Sequence, residues 1–228
     1  WRKKINKNFV LLSILLFSLL TSCEIIKLNN TGNVIVAKAT PTLAPKKTEI
    51  PVEPEPEEAI DSINTEGLDT ARNATYLDDL EKDVILELNK VRTNPQEYAK
   101  KQVLNLKKYY QGNRIRFPGE IPIANEEGIK AVDECYNVLL ATQPLPKLEP
   151  SKGLTSAAND LVKDQSESSN TGHKASDGSS PFDRMDRYGK WLKAAGENID
   201  YGYNKADRIV LSLLVDDGVP NRGQKNII

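Results

Sequence analysis

Apolar residues recur at helical spacing along most of this chain. Leu80, Val84, Leu88 and Val91 predict an amphipathic helix over 78–92. Asn94-Pro95 ends it and opens a second, with Asn94 at the N-cap, Pro95 in the first turn and Glu97 at the third position. Ala99, Val103, Leu106 and Tyr110 line one face of that second helix. Residues 111–124 carry Gly and Pro without a period and read as a loop. A third helix starts at Asn125, presents Ile129, Val132, Tyr136 and Leu139, and ends at Gln143-Pro144. Ser151 caps a fourth, striped with Leu154, Ala157, Ala158, Leu161 and Val162. Asp177-Gly178 marks a turn, and Ser180-Pro181 restarts a short helix with Phe182 and Met185 inward and Gly189 as its stop. Over 191–203 the period changes to two: Ile199, Tyr201 and Tyr203 alternate and predict a strand. Asn204 caps a last helix, with Ile209, Val210, Leu213 and Leu214 apolar and Asp216-Asp217-Gly218 at its end.

Before residue 76 the pattern is different. Four bases precede an apolar run from Phe9 to Leu20, too short to span a bilayer core of roughly 30 Å as a helix. This is the layout of a secretory signal. It ends in Leu20-Thr21-Ser22-Cys23, which resembles a bacterial lipobox, whose cleavage leaves a lipidated cysteine first. Residues 24–75 interleave Pro41, Pro45, Pro51, Pro54 and Pro56 with Glu49, Glu53, Glu55, Glu57 and Glu58. Such a stretch buries too little apolar surface to offset the entropy of ordering it. The expected organisation is a signal over 1–23, an extended tether over 24–75 and one folded domain over 76–228.

Charge narrows the function classes. The net charge is −1, but four of the 31 bases and none of the 32 acids lie in residues 1–23. The remainder is acidic on balance, which argues against a nucleic-acid partner. The chain has two cysteines, so no disulfide-rich scaffold is available. With Cys23 committed to lipid, Cys135 reads as a small buried hydrophobe.

The candidate chemistry gathers between Thr171 and Gly202. His173 is the sole histidine of 228 residues, and Glu197 follows between Gly196 and Asn198. A histidine side chain changes charge near neutral pH and suits either acid–base work or metal ligation. Glu197 would orient it or bind a cation. Ser179 and Ser180 suggest a Ser–His–acid arrangement. Ser180 is better explained as a helix cap, and no Gly-x-Ser-x-Gly elbow is present.

Taken in order, Arg92-Thr93-Asn94-Pro95, Gly172-His173, Asp177-Gly178-Ser179-Ser180-Pro181, Gly196-Glu197-Asn198-Ile199 and Asn221-Arg222-Gly223 followed by Lys225-Asn226-Ile227 resemble the CAP superfamily. This group holds cysteine-rich secretory proteins, venom antigens and plant pathogenesis-related class 1 proteins; the bacterial SCP-domain branch is the most similar. The resemblance implies an α+β fold, an α-β-α sandwich with helices on both faces of a small antiparallel sheet. It implies a cleft of two histidines and two acids that holds a divalent metal such as zinc in some members. His173 matches the first histidine and Glu197 one acid, with Asp216 or Asp217 nearest to the second. The second histidine is absent: relatives read Gly-His-Arg-Lys-Asn where this chain reads Gly223-Gln224-Lys225-Asn226. The metal site is thus expected to be incomplete and zinc to bind weakly or not at all. The sheet is expected to be incomplete at its C-terminal end, with an exposed edge.

These readings converge on a membrane-anchored, extracytoplasmic lipoprotein of the cell envelope. Its CAP domain would bind a small molecule, lipid or protein around His173 and Glu197, with Asp216 and Asp217 as further ligand contacts. The alternatives are a metal-assisted or serine-type hydrolase of envelope polymer or peptide, with His173 and Glu197 catalytic, and a truncated product without function.

Overall fold

The computed structural model describes Phe9–Ile14, residues 63–191 and residues 194–228. Cys23 and the proline-rich tether lie outside the described residues. Helix α1 (Asp79–Thr93) begins in a capping box: the Glu81 amide donates to Asp78 Oδ1 at 2.8 Å, and the Asp78 amide donates to Glu81 Oε2 at 2.7 Å. Its apolar stripe, Val84, Leu88 and Val91, is buried. Residues 63–78, ahead of the expected domain start, form turns that bury Ile63, Leu68, Ala71 and Leu77. Asn89 ties them down, donating to Leu68 O at 2.8 Å while its own carbonyl accepts from the Leu148 amide at 2.6 Å.

The next segment is helical from Pro95 to Tyr109, as expected, but not uniform. It runs through α2 (Pro95–Tyr98), a π-helical turn over Ala99–Val103, α3 (Leu104–Leu106) and a 3-10 turn. Asn94 does not cap it; its side-chain amide donates to Thr93 Oγ1 instead. The expected loop over 111–124 contains a small antiparallel sheet: β2 (Tyr110–Gln111), β3 (Arg114–Ile115) and β4 (Ile123–Ala124), in the order β2-β3-β4. Strands of two residues are too short to show a period of two. Helix α4 (Ile129–Ala141) starts later than Asn125. The Asp217 carboxylate accepts from the amides of Glu126, Glu127 and Gly128 at 2.6, 3.0 and 2.9 Å and holds them outside the helix.

Helices α5 (Lys152–Ser168) and α6 (Pro181–Asp186) carry the expected caps, Ser151 and Ser180. Strand β5 (Gly196–Tyr201) is shorter than the predicted strand, and α7 (Ala206–Val215) starts without a side-chain cap, so Asn204 does not serve as one. Phe182, expected inward, is 44% exposed and rests on Trp191, with ring centroids 5.6 Å apart. A six-residue helix has one buried edge, and Arg184 and Met185 occupy it.

The main core is built from α1, α4, α7 and the 95–109 segment. A smaller cluster joins Ile199 of β5 to Ala158 and Leu161 of α5. β5 also packs on α7, so helices flank both of its faces: the fold is α+β and CAP-like, as the resemblance implies. Along one edge of β5 runs β1 (Phe9–Ile14), antiparallel, with Leu11 opposite Ile199. These residues belong to the apolar run read as a signal. The other edge faces the terminal segment, where Gln224 Oε1 accepts from the Ile199 amide at 2.9 Å. Among the described residues, no helix is long and apolar enough to cross a membrane.

Candidate functional site

The loop between α5 and α6 is fixed before it reaches His173. Gly172 adopts φ +92°, a conformation that favours glycine. Its amide donates to the Tyr201 hydroxyl at 2.7 Å, and its carbonyl accepts from Gln165 Nε2 at 2.6 Å. Tyr201 donates to Gln165 Oε1 at 3.1 Å, which closes the ring between loop, α5 and β5.

The structure brings His173 and Glu197 together. His173 Nδ1 lies 3.0 Å from Glu197 Oε1. The Glu197 side chain is 2% exposed, whereas that of His173 is 51% exposed. Beneath them sits a residue the sequence reading missed. Arg184 is 1% exposed, and its Nη2 donates to both Glu197 oxygens, at 2.9 and 2.7 Å. Its Nη1 donates to the carbonyls of His173 and Ser179, each at 3.1 Å. One guanidinium therefore neutralises the buried carboxylate and pins the loop that carries the histidine. The available signal was local: Arg184 precedes the inward Met185, and a buried Glu197 needs a cation.

The hydrogen-bond roles follow from charge. Glu197, paired to a guanidinium, is ionised and can only accept. Nδ1 of His173 must then be the donor, which makes Nε2 the acceptor of the neutral ring. The arrangement presents a fixed imidazole to solvent with one nitrogen committed inward and the other left for a ligand.

The remaining candidates lie elsewhere. Asp216 is buried and accepts from the Gln224 amide at 2.9 Å and Gln224 Nε2 at 3.3 Å. Asp217 holds the start of α4. Both line a cavity together with Gln224 and Asp200, on the face of β5 turned away from Glu197. They do not join His173 and Glu197: Asp216 is taken up by Gln224, and Asp217 by the amides of Glu126, Glu127 and Gly128. The Arg222 of the terminal motif is structural: it forks between Glu127 (2.6 Å) and Glu134 (2.8 Å). Ser180 serves as a cap, its hydroxyl accepting from the Asp183 amide at 3.3 Å and donating to Asp183 Oδ2 at 2.7 Å. Cys135 is buried, and burial pushes its thiol up to about 12, where it is inert as a nucleophile.

The residues present do not fit a divalent metal. Both Glu197 oxygens accept from a buried guanidinium that would face the ion, and His173 offers a single nitrogen. Among the described residues, no three His, Cys, Asp or Glu side chains cluster as ligands.

The profile of the cysteine-rich secretory protein family, CAP, matches residues 87–226. No curated protein and no solved structure matches the chain. The match takes in α4 through β5, the His173 loop and the terminal motif, and on it the chain belongs to the CAP family.

Proposed function

We propose that this CAP domain binds a ligand or partner at the exposed imidazole of His173. The observation that carries the reading is the contrast in exposure: a half-exposed ring stands on a fully buried, charge-balanced pair, Glu197 and Arg184. Fixing an exposed side chain in this way lowers the entropy lost when something binds to it. The ligand would donate a hydrogen bond to Nε2 and lie across the loop from Gly172 to Ser176. A serine-type hydrolase would need an accessible serine hydroxyl beside the ring; that of Ser180 is engaged by Asp183 and that of Ser179 is buried.

The signal-like start and the cysteine at position 23 support display outside the cytoplasm on a lipid anchor. Acyl chains at roughly 0.8 kcal/mol per buried CH₂ would hold the domain at a membrane surface. Processing at Cys23 would remove Phe9–Ile14 and open the edge of β5 that they cover. Detergent-phase partition of the native protein, lost in Cys23→Ala, is the expected sign of the anchor; equal partition of both forms contradicts it.

Binding is tested by titrating the full chain with sterol in detergent micelles and with phospholipid vesicles, reading the His173 ring signals in the wild type and the heat of binding in wild type and variant. A saturable change at Nε2, with affinity reduced at least tenfold in His173→Ala, supports the reading. Binding that is indifferent to His173→Ala contradicts it.

A further inference from the structure

The cavity on the opposite face of β5 is a second candidate for binding. It encloses about 300 Å³, at the lower end of the range for small-molecule pockets. Ile115, Phe117, Leu211 and Val215 give it apolar lining, as does Ile123, which is 44% exposed. The lining is also rich in acceptors. Asp200, Asp216 and Asp217 all belong to it, against one guanidinium, Arg208.

The three carboxylates are not equivalent. Asp217 is satisfied by three backbone amides, and Asp216 by the amide and side chain of Gln224. Asp200 is 8% exposed and has no ion pair among the described residues. Its partners are neutral: the Tyr203 amide at a long 3.4 Å and the Ser212 hydroxyl. Arg208 does not compensate it. The guanidinium stacks on Phe117, 3.4 Å from the ring centroid, and lies 3.6 Å from Asp207. A second lining residue is also short of a partner: Asn125 Oδ1 is buried without a hydrogen bond among the described residues. A buried carboxylate without a cation and a buried amide oxygen without a donor are both costly, and one group with several N–H donors would relieve both. Tyr110 and Tyr203 also line the cavity, and an aromatic face favours a positive charge.

We propose that this cavity binds a small organic ammonium ion, its head on Asp200 and Asn125 and its apolar body against Phe117, Ile115 and Leu211. A neutral alcohol would satisfy only part of the acceptor lining, and a carboxylate would meet like charge.

The test is calorimetry of the full chain at pH 7.5 with hexylammonium, hexanol and hexanoate as probes. Hexylammonium is expected to bind at one site, at least tenfold more tightly than hexanol, with no binding of hexanoate. Asp200→Asn should weaken the ammonium at least tenfold, and Asn125→Ala should weaken it several-fold. Ile123→Trp, at an exposed lining residue away from the core, should block it. His173→Ala should leave it unchanged, which separates this site from the one at His173. Hexanol binding as tightly as hexylammonium, or hexylammonium binding that survives Ile123→Trp, overturns the proposal. If Asp200→Asn does not fold, Asn125→Ala and Ile123→Trp carry the same decision.

Discussion

Glu197 and Asp200 stand on one short strand and face opposite sides of it. Both are buried carboxylates, and their surroundings could hardly differ more. Glu197 has a guanidinium bonded to both oxygens and a histidine beyond it. Asp200 has a distant amide and a hydroxyl, and burial pushes its carboxyl up to about 6. Burial is therefore not what distinguishes a settled carboxylate from an unsettled one; the partner is. On the first face, the charge is balanced and the polar groups act to position one exposed ring. On the second, the charge is left for something else to balance, and neighbouring Asn198, 1% exposed, has no hydrogen-bond partner for its side-chain oxygen or nitrogen among the described residues.

Four changes sharpen or break this contrast, beginning with the largest. Arg184→Met removes the cation and leaves Glu197 charged and buried. A loss of about 3–5 kcal/mol is expected in urea unfolding. A loss under about 1 kcal/mol would break the claim that Arg184 balances Glu197. The double change Arg184→Met with Glu197→Leu should recover much of the loss, since the pair is costly to desolvate.

Asp200→Asn comes next, and its effect has the opposite sign. The folded carboxyl titrates near 6, above the ordinary aspartate value of about 3.9 in the unfolded chain. Between these values the folded state holds the proton and the unfolded state does not. The contribution of Asp200 therefore falls as pH rises from about 4 to about 6, by about 3 kcal/mol, and is constant above that. Asp200→Asn should flatten this part of the stability profile and be the more stable form at pH 7. A wild-type profile that rises from pH 4 to 6 to the same extent in both proteins contradicts the account.

Gln224→Ala is smaller. It removes the acceptor of the Ile199 amide and a donor to Asp216, and about 1 kcal/mol of stability should go with them. His173→Ala is expected to change stability least, within about 0.5 kcal/mol, because the ring is half exposed. Calorimetry with zinc should detect no tight one-to-one binding in the wild type; tight binding would mean that Glu197 exchanges Arg184 for a metal.

Legibility in the sequence followed range. Caps written within three residues of each other, at Ser151 and Ser180, are visible because donor and acceptor lie in the same turn. The pairing of His173 with Glu197 could be named because each sits in a recognisable motif. Arg184 could not, because its role is set by a carboxylate 13 residues away, across a turn and onto a strand. Asp216 and Asp217 could be named from the terminal motif, but not that they line the cavity with Asp200 and Gln224 instead of standing beside His173. The little sheet over 110–124 left no trace because two-residue strands cannot express alternation. Asn94 and Asn204 have the right residue type for a cap, and neither caps its helix.

The most direct test of the account is the tautomer of His173, read from the nitrogen-15 shifts of its ring. The measurement is clean because the chain has no other histidine. For the neutral ring, the account predicts the proton on Nδ1, held by Glu197, and a change of that state in Glu197→Gln. Histidine free in solution favours the proton on Nε2. Finding that tautomer in the wild type, unchanged by Glu197→Gln, would contradict the claim that Arg184 and Glu197 exist to present His173.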